Sequence, residues 1–155
     1  MATTAAEPSR LNEGALFVDT NVLVHANVVE SPFHEVALGA LQQARAAGRA
    51  LWISRQVLRE YLVALTRPQS FTMVDRATVL EQVRLFTEHF EVADDTATVT
   101  AQLLTLLAEV PGGGKQVHDT DIVATMLAFG IPTLLTQNVG DFRRFDQRIR
   151  IEALG

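Results

Sequence analysis

Four acids, Asp19, Glu60, Asp119 and Asp141, stand at the ends of apolar runs rather than within them. Asp19 follows Leu16-Phe17-Val18 directly and is followed by Thr20-Asn21. The apolar run reads as a buried strand, and ligands of open α/β sheets bind at the carboxyl ends of the strands. Taken alone, Asp19 serves equally well as the N-cap of a helix starting near Val22. Glu60 lies just outside the apolar arc of its helix, where a carboxylate reaches over the rim of the core; by itself it reads as an ordinary solvated Glu. Several carboxylates gathered at one sheet edge repel each other and destabilise the fold unless a cation neutralises them. An all-oxygen donor set, with no cysteine and no histidine cluster, favours Mg²⁺ or Mn²⁺ over zinc. Such an ion activates water and steadies charge on phosphate oxygens, with one ion or with two about 3.5–4 Å apart. The chemistry that fits is hydrolysis of a phosphodiester.

The elements that must position these acids alternate along the chain. A first strand spans about Ala15 to Asp19, and a short helix follows with Val22, Leu23 and Ala26 on one face. Ser31-Pro32 has the form of an N-cap and a first-turn proline, opening a helix that runs to Gly48. Ala50 to Ile53 is the second strand. Ser54 then caps a helix whose Val57, Leu58, Tyr61, Leu62 and Leu65 follow the helical period, and Arg67-Pro68 closes it. Thr72-Met73-Val74-Asp75 resembles a capping box for a helix carrying Val79, Leu80, Val83, Leu85 and Phe86. Phe90 to Val92 is the third strand. The next helix, Thr96 to Glu109, points Val99, Leu103, Leu104 and Leu107 inward. Pro111-Gly112-Gly113-Gly114 is a loop. It is not a phosphate loop, because Glu109 stands where the first Gly is needed and Gln116 where Ser or Thr is needed. His118-Asp119-Thr120-Asp121 opens a further helix ended by Gly130-Ile131-Pro132. Thr133 to Thr136 is the fourth strand, ending in Thr136, Gln137 and Asn138, and Arg150-Ile151 belongs to a fifth. This alternation predicts an α/β fold with a mainly parallel sheet covered by helices.

Length and composition bound the rest. The 155 residues predict one domain after a polar tail over residues 1–14. Hydrophobic residues at 48% and charged residues at 20% exclude a disordered chain. No cysteine is present, which excludes disulfides and thiolate zinc sites. The absence of an apolar leader or of a run near 20 apolar residues predicts a cytoplasmic protein with no membrane segment. A net charge of −5 argues against coating nucleic acid by charge alone, though not against an enzyme that meets RNA through divalent ions and a local basic patch. Twelve of the thirteen cations are arginine, a usage that reflects genome composition more than function. The four histidines, His25, His34, His89 and His118, show no ligand spacing. A metal-free acid–base pair is therefore disfavoured, and His118 is expected to shape a helix start.

Phe17-Val18-Asp19-Thr20-Asn21, the Glu60 helix, His118 to Thr125 and Leu135 to Phe142 together resemble, in order and spacing, the signatures of the PIN domain. The closest likeness is to VapC-type toxins of bacterial toxin–antitoxin pairs, from Ala15 to Leu154. The resemblance implies a three-layer α/β/α fold, Mg²⁺- or Mn²⁺-dependent endoribonuclease activity, a cognate antitoxin lying along the groove beside the acids, and a homodimer. By position it implies that Asp19, Glu60 and Asp119 hold metal. Asp119 is preferred to Asp121, whose charge also suits a helix start. The fourth position departs from the common pattern: Asn138 stands where many members have an acid, and Asp141 follows three residues later. Both are also turn formers. Thr20 and Thr136 are expected to hydrogen-bond the carboxylates or the attacking water. Arg143 and Arg144 read equally as RNA backbone contacts and as solvated charges. The implied products are a 5′-phosphate and a 3′-hydroxyl.

Three rival readings are weaker. A phosphatase of the haloacid-dehalogenase kind also starts from a strand-end Asp but needs a second one where Asn21 stands. A non-catalytic PIN-type binding module would lack one of the acids. A DNA-directed nuclease would carry an arch-like insertion for which the chain has no room.

Overall fold

The computed structural model describes residues 13–68 and 74–155. Five strands form one sheet: β1 (Leu16–Val18), β2 (Leu51–Ser54), β3 (Glu91–Ala93), β4 (Thr133–Thr136) and β5 (Arg150–Ala153). Their order is β3-β2-β1-β4-β5, and every pairing is parallel. Seven α-helices connect them among the described residues: α1 (Thr20–Asn27), α2 (His34–Ala46), α3 (Arg55–Thr66), α4 (Arg76–His89), α5 (Ala97–Glu109), α6 (Gln116–Phe129) and α7 (Val139–Phe142). A 3₁₀ turn, Arg143–Phe145, follows α7. Helix α1 packs on both α2 and α3, α3 packs on α4, and α5 packs along α6. The result is the expected three-layer α/β/α arrangement.

A central parallel strand has helices on both faces, so its residues are continuously apolar. Leu16, Phe17 and Val18 accordingly show at most 1% exposure. The order of strands reverses between β1 and β4. A crevice opens at the carboxyl ends of strands flanking such a reversal, and Asp19 and Thr136 lie on either side of this one.

Several boundaries differ from those read in the sequence. Helix α2 starts at His34, not at Pro32, and its N-cap Phe33 makes no side-chain cap. The Ser31 hydroxyl instead accepts from the Phe33 N–H at 3.1 Å and bonds His25 Nδ1 at 2.6 Å. Asp75 is itself the N-cap of α4, accepting from Thr78 N–H at 2.8 Å, whereas the expected cap Thr72 lies outside the described residues. Helix α6 begins at Gln116, two residues before His118, because Gln116 and Val117 N–H groups already bond the Gly113 and Gly114 carbonyls. Leu104 is 63% exposed rather than inward. The inward face is set by buried Val99 and Leu106, and at about 100° per residue Leu104 stands roughly 140° round the helix from Val99.

Candidate active site

Asp19 leaves β1 with its backbone N–H on the Leu135 carbonyl of β4, at 3.0 Å. Its side chain has both of the roles the sequence allowed. Oδ1 accepts from the Thr20 N–H at 2.8 Å, capping α1. Oδ2 faces the crevice and accepts from the Thr136 hydroxyl at 2.8 Å and from Asn21 Nδ2 at 3.3 Å. Burial is deep, and it pushes the Asp19 carboxyl up to about 6 against the pull of these donors. Glu60 and Asp119 add to the rise by charge repulsion.

Glu60 reaches the same crevice from the second turn of α3. Thr20 Oγ1 donates to its Oε2 at 2.8 Å, and Gln56 Nε2 to its Oε1 at 2.7 Å. Gln56 is buried and also donates to the His118 carbonyl at 3.0 Å, tying α3 to the start of α6. Helix α3 can turn this face to the site because Ser54 Oγ accepts from the Val57 N–H, fixing its first turn.

Asp119 approaches from the first turn of α6. Its carboxyl is raised by burial first and then by Asp141, with Glu60 adding and Arg144 opposing. Asp141 is exposed, in the single turn of α7, and borders Asp119. Asn138 occupies the N-cap of α7 without capping it by its side chain; its N–H donates to Thr136 Oγ1 at 3.0 Å. Asp121 lines the neighbouring groove with Gln56, Glu60 and His118. Two residues further round the helix, it is raised by burial and then by Asp95, with Glu60 the smallest influence.

The structure thus joins Asp19, Thr20, Glu60 and Thr136 by direct hydrogen bonds and sets Asp119 and then Asp141 beside them. Among the described residues, no three His, Asp or Glu side chains converge closely enough to hold one ion as they stand. The donors nevertheless suit a hard divalent cation: they are all oxygen, partly desolvated and mutually repelling. Glu60 accepts one hydrogen bond on each oxygen, from Thr20 and from Gln56, and each oxygen keeps a lone pair for a cation.

Arg143 and Arg144 differ from each other. Arg143 is exposed. Arg144 donates to the Gln116 carbonyl at 3.2 Å and stacks 4.8 Å from the Phe145 ring centroid, so it braces α6 rather than standing free.

Gln56, Asn21, Gln137 and His25 were not among the expected site residues. Asn21 Oδ1 accepts from the Gln137 N–H at 3.2 Å, and the Gln137 side chain bonds His25 Nε2 at 2.6 Å. Gln56 had a local signal, since Gln and Glu four apart on a helix face are neighbours. The contact between His25 and Gln137, 112 residues apart, had none.

The chain is thus a parallel α/β/α protein with acids gathered at its strand-order reversal. Residues 16–147 match the PIN domain model, and the chain belongs to the PIN domain family. No curated protein sequence matches it. Among solved structures, it is similar to VapBC2 from Rickettsia felis, bound to a DNA fragment from its promoter, with TM-score 0.69 and 20% identity over 91% of this chain and 99% of that one. DNA-bound VapBC from Salmonella typhimurium gives TM-score 0.64 and 19% identity over 91% and 98%. Mycobacterium tuberculosis VapC20, a Sarcin-Ricin loop cleaving toxin, gives 0.60 and 19% over 77% and 87%. At these identities the likeness establishes a shared fold.

Proposed function

We propose that this chain is a metal-dependent endoribonuclease and the toxin of a toxin–antitoxin pair. The observation that carries the reading is the Thr136–Asp19–Thr20–Glu60 network at the strand-order reversal, with Asp119 beside it. Asp19, Glu60 and Asp119 would hold Mg²⁺ or Mn²⁺, with Asp141 at the rim. Bound there, the ion would supply an activated water and neutralise charge on the scissile phosphate. The protein's own part is positional. Thr136 and Asn21 hold Asp19 Oδ2 toward the crevice. Thr20 and Gln56 keep Glu60 from swinging into solvent. Asn138 offers an amide, not a charge, so the outer side of the site binds cations less strongly than the inner side.

Support for the toxin reading comes from the fold shared with toxin–antitoxin assemblies; the antitoxin would cover the acid crevice. Residues 15–155 would form the catalytic unit, and the chain would work as a homodimer. Among the described residues no helix is long and apolar enough to cross a membrane. The test is expression without any antitoxin. The natural chain should arrest growth and, when purified, cut RNA in Mg²⁺ to 5′-phosphate ends. Asp19→Asn should do neither. Equal arrest by both chains refutes the metal mechanism.

A further inference from the structure

The two lips of the acid crevice come from distant parts of the chain. Asp19 and Thr20 stand where β1 passes into α1, whereas Thr136, Asn138 and Asp141 close β4 and follow it. The β1–β4 ladder joins the lips as far as the Asp19 N–H on the Leu135 carbonyl, at 3.0 Å. Past that bond, side chains of α1 reach across. Asn21 Oδ1 accepts from the Gln137 N–H at 3.2 Å, and His25 Nε2 meets Gln137 Oε1 at 2.6 Å. Asn21 and His25 are four residues apart and so share one face of the helix. Gln137 is therefore gripped both by its backbone and by its side chain.

His25 is itself firmly held. It lies in the last turn of α1, where helix carbonyls lack an intrahelical partner, and its own carbonyl accepts from His34 Nδ1 at 3.0 Å. Its ring packs on Phe33, centroid to centroid 5.1 Å. Its Nδ1 meets the buried Ser31 hydroxyl at 2.6 Å. That hydroxyl oxygen already accepts from the Phe33 N–H at 3.1 Å, which leaves its proton to give. With the ring proton on Nε2, His25 accepts from Ser31 and donates to Gln137, and every partner is matched. Both ring nitrogens are occupied within the protein, so His25 acts through Gln137 and not on a substrate.

We infer that His25 is a positioning residue of the candidate active site: through Gln137 it locks the segment after β4 in the orientation that aims Thr136 at Asp19 and keeps Asn138 and Asp141 at the rim. The turnover it serves rests on the proposed ribonuclease activity, while the brace itself belongs to the metal-free chain. A segment tied by the Asn21 bond alone can pivot about it. A second tie, about one helical turn further along α1, stops that rotation. The lever is short. On one side of Gln137 is Thr136, whose hydroxyl donates to Asp19 Oδ2 at 2.8 Å. On the other is Asn138, whose N–H donates to the same hydroxyl oxygen at 3.0 Å. Turning residue 137 misdirects both, and a misplacement of about 1 Å at a reacting group costs on the order of a hundredfold in rate.

The test has two arms on the full chain: amide hydrogen exchange by NMR without metal, and kcat and KM on a fluorophore–quencher RNA oligonucleotide in Mg²⁺. His25→Ala should speed exchange of the Gln137 and Asn138 N–H groups roughly five- to tenfold. The Asp19 N–H, within the β1–β4 ladder, should keep its rate. The same variant should lower kcat roughly ten- to hundredfold and hold KM within about twofold. Gln137→Ala cuts the same bond from the other side while keeping the backbone bond to Asn21, and it carries both arms should His25→Ala fail to fold. The double variant should be no worse than either single one. His25→Gln, whose amide N–H replaces the ring donor, should bring kcat back to within about threefold of the natural chain. His89→Ala, on α4 and outside the brace, should change neither arm. Unaltered exchange at Gln137 and Asn138 overturns the inference. So do losses that multiply in the double variant, or an equal rise at the Asp19 N–H, which marks a general loss of stability. If the natural chain leaves the RNA uncut, the enzymatic reading fails, and the exchange arm alone decides the brace.

Discussion

Replacing Asp19 by Asn should abolish activity and yet stabilise the metal-free protein at neutral pH. The Asp19 carboxyl, 7% exposed, is pushed from 3.8 up to about 6, chiefly by burial. A raised carboxyl pKa means that the folded state binds the proton more tightly than the unfolded chain. This contribution to stability is fully present below about pH 4 and is lost as pH rises through about 6. Two units correspond to about 3 kcal/mol of stability absent at pH 7. Asn does not ionise, and it caps a helix as well as Asp does. It gives up the acceptor Oδ2, which takes both the Thr136 hydroxyl at 2.8 Å and Asn21 Nδ2 at 3.3 Å; with the hydroxyl turned to accept from the new amide, the cost is about 1 kcal/mol. The net expectation is a gain of about 2 kcal/mol at pH 7 without divalent ions, shrinking to zero or reversing near pH 4. Urea denaturation of both proteins at the two pH values isolates Asp19 from Asp119 and Asp121, whose raised carboxyls push in the same direction. A variant less stable than the natural protein at pH 7, with the same pH dependence, refutes the picture of a desolvated carboxylate.

Mg²⁺ or Mn²⁺ at 100 times its dissociation constant should stabilise the natural protein by about 2.7 kcal/mol, seen as a rise in Tm that Asp19→Asn does not show. Gln56→Leu should cost about 1–3 kcal/mol in urea, because the His118 carbonyl loses its Gln56 donor; it should also weaken Mn²⁺ binding, measured by electron paramagnetic resonance, through the freed Glu60. Gly130 ends α6 with φ of 69°, so Gly130→Ala should cost about 1 kcal/mol without moving the Kd for RNA.

The sheet was legible because a strand buried on both faces must be apolar throughout, as Leu16-Phe17-Val18 is. The helices were legible from their period and caps, and Ser54 caps where its type and position indicate. Boundaries slipped where a side chain had a better partner. Ser31 turned to His25 and Phe33 rather than to a helix end. The acids announced themselves by standing at element ends, but their supports did not. Gln56 and His25 read as ordinary helix residues until the fold brings His118 and Gln137 to them.

The bond from Thr136 to Asp19 spans 117 residues. While the chain is being made, the first acid therefore waits for 117 further residues before β4 can complete its surroundings. Pairing over such separations is slow to form. A nascent or truncated product lacking β4 cannot assemble the crevice, so the proposed nuclease activity would be withheld from the ribosome that synthesises it until β4 has emerged.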